Sequence, residues 1–298
     1  MQFSNMEYVT YAELVAYHRP GSVMTATEVL VVIGTGGMGR AIARRLASGC
    51  TVVLTDVNQD LLDATADELV YEGHHVVKRI VDVSSADAVA ELARLAASSG
   101  RVTKVVHTAG LSPEQGSVQQ LLAVDLLGVA ITLEQFARVI EPGGAGVVIA
   151  SMAAHMYPPF DPEVERQLAT TPAVELLGLD ACSPDRIASS QLAYPFAKRA
   201  NLVRVAAAAT SWGDRGARIN SISPGVISTA MGRRELADES GQFMRAMIKA
   251  SGTGRIGTPD DIAAAAEFLL GPSASFVTGS DLLVDGGVMA AIRTGGLQ

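Results

Sequence analysis

From Glu28 onward the chain alternates short apolar runs with segments of helical periodicity, and this alternation narrows the available folds more than any other feature. EVLVVIG has the pattern of a buried strand ending on glycine, and GMGRAIARRLAS behind it spaces its apolar residues as a helix does. TVVLTD and NQDLLDATADELVYEG repeat the pair, with Asn58 placed to cap the helix. HVVKRIVDV with SSADAVAELARLAASSG forms a third pair, and VTKVVHTAG a fourth strand. A long helix around 117–140, the strand GVVIAS, a helix around 190–211, the strand ARINSIS, a helix from Pro259 and the strand DLLVDGG complete the series. Seven strands alternating with helices predict a parallel sheet covered on both faces, joined by right-handed crossovers. With no internal repeat and no low-complexity linker, residues 28–298 read as one doubly wound α/β domain. Residues 1–27, aromatic and polar, read as an N-terminal extension, with a second possible start at Met24.

Composition removes several classes of function. A chain of 298 residues, 48% hydrophobic and with a mean hydropathy of +0.27, can bury one large core. No run approaches the ~18 apolar residues of a membrane span. The opening MQFSNMEYVTYAELVAYHRPGS lacks the basic start and apolar stretch of a secretory leader, so a cytoplasmic location is expected. A formal net charge of −8 argues against a nucleic-acid partner, which would need a basic face. Cys50 and Cys182 form no CxxC pair and read as reduced thiols, and the five histidines have no ligand spacing, so no metal is expected.

Between the first strand and first helix lies Gly34-Thr35-Gly36-Gly37-Met38-Gly39. Glycines here let the turn close and let the backbone approach a pyrophosphate, while the helix N-terminus offers free N–H groups to its charge. Asp56 ends the second strand, 22 positions past Gly34. A carboxylate there can accept hydrogen bonds from the adenosine ribose and would repel a 2′-phosphate. No lysine or arginine follows it in VNQD, and none precedes Arg40 in the turn. These features predict a Rossmann-type site for NAD(H), with Asp56 as a mere strand cap the alternative.

The chemistry is suggested by Tyr194-Pro195-Phe196-Ala197-Lys198 on a predicted helix. A spacing of four puts Tyr194 and Lys198 on one face, a turn apart. A free tyrosine has a pKa of about 10 and needs nearby positive charge to work as a base near neutrality. Lys198 and an oxidised nicotinamide would both supply it.

With these companions the sequence resembles the short-chain dehydrogenase/reductase family from residue 28 to 293. The resemblance rests on Asp82-Val83 after strand three, Ala109-Gly110 after strand four, Ser151 after strand five, the Tyr194/Lys198 pair, and Pro224-Gly225-Val226-Ile227-Ser228-Thr229 after strand six. It implies that Gly34, Gly37, Met38, Gly39, Asp56, Asp82, Val83, Ala109 and Gly110 hold the cofactor, with Asp82 on the adenine. It further implies that Ser151 holds the reacting oxygen, that Tyr194 is the general acid/base, and that Lys198 binds the nicotinamide ribose and steadies Tyr194. Pro224, Gly225, Ile227 and Thr229 belong to the segment that holds the carboxamide. The expected reaction interconverts a small-molecule alcohol and ketone, in a homodimer or homotetramer. A catalytically idle NAD-binding sensor is the competing reading.

Three departures from the family pattern carry expectations of their own. The first glycine stands at position 34 rather than 33, implying a tighter phosphate turn. The helix-four asparagine, which helps anchor a relay water beside the lysine, is replaced by Asp125, which either serves the relay or is a satisfied helical residue. Ser151 and Tyr194 are 43 positions apart, well beyond the family's usual spacing. That insertion, together with the ending SFVTGSDLLVDGGVMAAIR, is similar to the bacterial 3α-hydroxysteroid dehydrogenase/carbonyl reductase subgroup and implies a bulky apolar or steroid-like substrate. The insertion itself, 155–185, carries Met156, Tyr157, Phe160, Leu168, Leu176, Leu177 and Leu179, more apolar surface than a solvated loop needs. It is expected to act both as a wall of the substrate pocket and as an interface modifier, covering the outer face of the Tyr194 helix, where the resemblance implies a subunit contact, and leaving residues 260–290 as the better dimer surface.

Overall fold

Strand β1 (Glu28–Ile33) shows why the apolar runs become a two-sided sheet. Successive side chains point to opposite faces. Val29, Val31 and Ile33 therefore enter one core, and Leu30 and Val32 the other. All five are buried, as a central parallel strand requires. The computed structural model describes residues 27–237 and 241–296, so the N-terminal extension lies, apart from Thr27, outside the described residues.

β1 is flanked by β2 (Cys50–Asp56) and β4 (Arg101–His107). With β3 (His75–Ile80), β5 (Ala145–Ile149), β6 (Arg218–Pro224) and β7 (Asp281–Val284) they form one seven-stranded sheet of order β3-β2-β1-β4-β5-β6-β7. Every pairing is parallel, as the alternation predicted. The strand order reverses between β1 and β4, and in open α/β sheets ligands bind outside the carboxyl ends of the strands at such a point.

Helices α1 (Gly37–Leu46), α2 (Gln59–Tyr71) and α9 (Pro259–Leu270) supply Ile42, Leu62, Leu69 and Ile262 to one core. Asn58 caps α2 by accepting from the Leu61 amide at 3.0 Å. On the other face lie α3 (Ala86–Ser99), α4 (118–136) and α6 (Ser190–Gly213). Helix α4 runs as Val118–Leu121, a π-helical turn Leu122–Leu127, and Gly128–Phe136. Beyond the carboxyl ends of β6 and β7, α7 (Ala230–Ala237), α8 (Gly241–Ala250) and α10 (Val288–Arg293) form a small lobe whose interior is Met152, Val226, Met247, Val288 and Met289. Among the described residues no helix is long and apolar enough to cross a membrane.

The insertion folds as helix α5 (Pro162–Thr170), a turn at Ala173–Leu176 and a 3-10 turn at Asp180–Cys182. Leu168 and Leu176 are fully buried in the α4/α6 core, and Leu177 and Leu179 pack against it. Tyr157 and Phe160 meet Phe196 of α6 edge-on, with ring centroids 5.9 and 5.4 Å away. Arg204 of α6 locks the arrangement. It donates to the Leu168 and Thr171 carbonyls at 3.1 and 2.5 Å, which a helix end leaves without partners, and pairs with Glu134 of α4 at 3.1 Å. Of the two surfaces the insertion could cover, these side chains cover α6 and its neighbour α4. Met156 alone of the apolar set is largely exposed, at 44%.

Candidate active site

Close approach of backbone to backbone explains the glycine turn. Gly34 has φ +93°, a left-handed conformation, and a side chain there would lie 2.6 Å from the Ala109 nitrogen. A Cβ on Gly39 would overlap the Gly34 carbonyl, so only glycine lets α1 begin this near β1. α1 begins at Gly37 behind the N-cap Gly36, which gives no side-chain cap, and has no acidic residue in its first turn, leaving its positive end open toward the cleft. Thr108, at the end of β4, ties the turn down by donating to the Gly34 carbonyl at 2.7 Å.

Asp56 braces the same turn. Its Oδ2 accepts from the Thr35 amide at 2.7 Å and from the Thr35 hydroxyl at 3.0 Å, and its Oδ1 accepts from the Asn58 amide at 2.9 Å. Oδ1 keeps acceptor capacity toward the cleft. Asp82 is held likewise, its Oδ1 accepting from the Ser84 amide and hydroxyl at 2.9 and 2.7 Å. Together with the glycines these residues line a cleft of about 580 Å³ over the β1/β4 crossing. The fit to a dinucleotide is good: an uncapped helix start at one point, a carboxylate at the end of β2, and apolar Val57, Val81 and Val83 where a flat base would lie.

At its other end the cleft reaches Gly110, where a Cβ would lie 3.1 Å from Lys198 Nζ and 2.8 Å from Asp125 Oδ1. Lys198 is buried, with Nζ 5.5 Å from the centre of the Tyr194 ring and 3.7 Å from Asp125 Oδ1. Asp125 sits in the π-helical turn of α4, a distortion frequent at functional sites. It is wholly buried; Oδ1 accepts from the Leu111 amide at 2.9 Å, and Oδ2 has no partner among the described residues. Burial pushes its carboxyl above the ordinary range, against the opposing pull of Lys198 and the Leu111 amide. Its carbonyl accepts from Asn201 Nδ2 at 2.7 Å. Beneath Lys198, His107 is buried at the end of β4 with Nδ1 3.1 Å from Thr132 Oγ1. Burial, reinforced by the Lys198 charge, pushes its pKa down to about 3, so it stands neutral.

Ser151 follows β5, the strand next to β4. Its Oγ accepts from the Ala153 amide at 3.1 Å, which leaves the hydroxyl hydrogen available to donate. Arg199 of α6 donates to the Ala154 carbonyl at 3.3 Å, and the Met152 amide donates to the Pro224 carbonyl at 2.8 Å. The segment bearing Ser151 is thus tied both to the helix bearing Tyr194 and to the loop after β6.

Of the residues singled out in the sequence, Gly34, Gly37, Met38, Gly39, Asp56, Asp82, Val83, Ala109, Gly110 and Thr229 line the cleft. Pro224, Gly225 and Ile227 do not; Pro224 and Ile227 are buried, and Gly225 and Ile227 border a smaller cavity of about 210 Å³ behind the loop. Thr35, Thr108, His107, Asn201, Met231 and Arg234 were not singled out, yet all touch the site or its supports. Asn201 had a readable signal, standing three positions after Lys198 on the same helical face.

A family model described as enoyl-(acyl carrier protein) reductase matches residues 32–162 and 164–289. A short-chain dehydrogenase/reductase of Alternaria brassicicola is 40% identical over 262 residues, covering 88% of this chain and 95% of the relative. A galactitol 2-dehydrogenase (L-tagatose-forming) of Cereibacter sphaeroides is 32% identical over 86% of this chain and 92% of its own. The 3α-hydroxysteroid dehydrogenase/carbonyl reductase of Comamonas testosteroni is 28% identical over 83% and 96%, so that subgroup is one likeness among several. Among solved structures, a 7α-hydroxysteroid dehydrogenase complexed with NADH and 7-oxo glycochenodeoxycholic acid superposes with a TM-score of 0.68 at 26% identity, covering 87% of this chain and 93% of that one. The chain belongs to the short-chain dehydrogenase/reductase family, oxidoreductases that act on alcohols and ketones.

Proposed function

We propose that this protein interconverts a bulky, apolar secondary alcohol and its ketone, using NAD(H) as the hydride carrier. The observation that carries the reading is the stacking of Tyr194 and Lys198 one turn apart on α6, with Lys198 Nζ against Gly110 at the end of the dinucleotide cleft. In the oxidising direction Tyr194 takes the hydroxyl proton of the substrate while the Ser151 hydroxyl donates to the same oxygen. Lys198 supplies positive charge that favours the phenolate. The dinucleotide, when bound, supplies the acceptor for the hydride. In the reducing direction the proton returns from Tyr194 to the carbonyl oxygen.

Preference for NAD(H) over NADP(H) rests on Asp56, whose carboxylate borders the cleft and would face a 2′-phosphate. The apolar substrate is supported by the long insertion between Ser151 and Tyr194 and by the ending SFVTGSDLLVDGGVMAAIR, both similar to the 3α-hydroxysteroid dehydrogenase/carbonyl reductase subgroup. The relatives named for steroid substrates point the same way, and the galactitol relative points to a polyol.

The test is NADH oxidation across a panel of ketones, with Tyr194→Phe beside the wild type. A turnover loss of about 10²–10⁴-fold with NADH affinity retained is expected. Near-normal turnover in the variant would remove Tyr194 from the chemistry. NADH binding without turnover of any ketone would favour the idle sensor instead.

A further inference from the structure

We infer that Arg234 of α7 is the residue that grips the pyrophosphate of the bound dinucleotide. The inference rests on reading the cleft as a dinucleotide site and adds a cation to it. Helix α7 begins directly after Thr229, and a Cβ on Gly37 would lie 3.0 Å from Thr229 Cγ2. The root of α7 therefore abuts the glycine turn at the open end of α1. Ala230, Met231 and Arg234 all border the cleft, and Arg234, four positions after Ala230 and three after Met231, shares a helix face with each.

Charge makes the position specific. A pyrophosphate diester brings two negative charges, whereas a helix N-terminus offers only about half a positive one. The cleft bears two carboxylates of its own, Asp56 and Asp82, in a chain of net charge −8. Among the described residues that line it, Arg234 is the one cation. Its neighbours are otherwise engaged: Arg40 on α1 pairs with Glu68 at 3.2 Å, and Arg233 donates back to the Ser228 carbonyl at 3.4 Å. Arg234 has no hydrogen bond or ion pair among the described residues. An exposed guanidinium one turn above the glycine turn has the reach and the planar donor pattern for two phosphate oxygens.

Fragments separate the parts of the cofactor without requiring catalysis. Binding of ADP, adenosine and 2′,5′-ADP is measured by calorimetry on wild type, Arg234→Ala and Arg234→Lys. The expected result is a loss of ADP affinity of about tenfold or more in Arg234→Ala, with partial recovery in Arg234→Lys and a shallower salt dependence. Adenosine affinity should be unchanged, and NADH should leave the alanine variant faster in a stopped-flow displacement. Arg234 is exposed, so equal melting temperatures are expected for all three proteins. Unchanged ADP binding in Arg234→Ala, or equal losses for ADP and adenosine, would overturn the assignment. So would a loss confined to 2′,5′-ADP, which would move Arg234 to the ribose end. Failure of wild type to bind either ADP or NADH would instead remove the dinucleotide reading beneath it.

Discussion

On the β1–β3 side of the sheet, the polar groups that would serve the adenosine end are fixed by near neighbours and stand partly in solvent. Thr35 and Asn58 hold Asp56, and Ser84 holds Asp82. On the α4/α6 side Lys198, Asp125 and Asn201 are buried, and the polar contacts there join residues far apart in sequence. Asn201 reaches the Asp125 carbonyl across 76 positions, and Arg204 reaches Glu134 across 70. The buried polar atoms without protein partners gather there too: His107 Nε2, Asp125 Oδ2 and Asn201 Oδ1, against Thr55 Oγ1 alone on the adenosine side among the described residues. A low-dielectric interior strengthens every interaction it encloses and penalises each unpaired group, so changes on this side should propagate while those on the other stay local.

The largest expected effect lies at Arg204. Its removal leaves the end of α5 without a cap and strips Glu134 of its cation. Arg204→Ala should cost about 3 kcal/mol in urea unfolding, since charged hydrogen bonds and buried donors are lost together. Thr35→Val, which removes one hydroxyl bond to Asp56, should cost about 1 kcal/mol or less. Light scattering on Arg204→Ala adds a second reading. The insertion covers the α6 face on which the family resemblance places a subunit contact, and loosening it should alter assembly. Equal stability losses in the two variants would break the contrast between the halves.

A smaller effect is expected at His107. Its folded pKa is about 3 and its unfolded value about 6.5, so below pH 6.5 the unfolded chain takes a proton that the folded one refuses. The unfolded state then binds more protons, and stability falls with pH from about 6.5 toward 3. Between pH 7 and pH 5 this amounts to about 2 kcal/mol. His107→Asn cannot titrate, so its urea midpoint should depend less on pH in that window. Equal pH dependence of wild type and variant would show that the histidine is not held neutral.

Legibility divides along the same line. The alternation in EVLVVIG, the Asn58 cap and the glycine turn could all be read because their causes are local: period, capping chemistry and backbone clearance. Helices α7 and α8 were not expected. Each buries few residues, Gly232 in one and Gly241 and Met247 in the other, so the apolar stripe that marks a helix is thin. The apolar surplus of the insertion was legible, and so was the outer face of α6 as one of its two destinations; the choice between them was not, because nothing local tells Leu168 that α6 lies above it. The buried state of Asp125 was equally hidden, since an aspartate on an amphipathic helix reads the same whether it faces solvent or Lys198.

The smallest effect, and the sharpest on mechanism, is expected at Asp125. Burial raises its carboxyl pKa in the folded protein, so the folded chain holds this proton more tightly than the unfolded one. The stability linked to it is full below the ordinary carboxylate pKa of about 3.9 and is lost as pH rises through the raised folded value. Asp125→Asn keeps an oxygen for the Leu111 amide and removes the titration. Relative to wild type, the variant should therefore gain stability as pH rises from acid to neutral. That gain follows from burial alone and does not report on catalysis. The pH–rate profile does: if the Asp125 carboxyl assists proton movement beside Lys198, its substitution should displace one limb of kcat against pH while changing maximal kcat by less than about tenfold. A stability gain with an unchanged profile would make Asp125 a buried structural residue, leaving Ser151, Tyr194 and Lys198 as the whole of the reacting set.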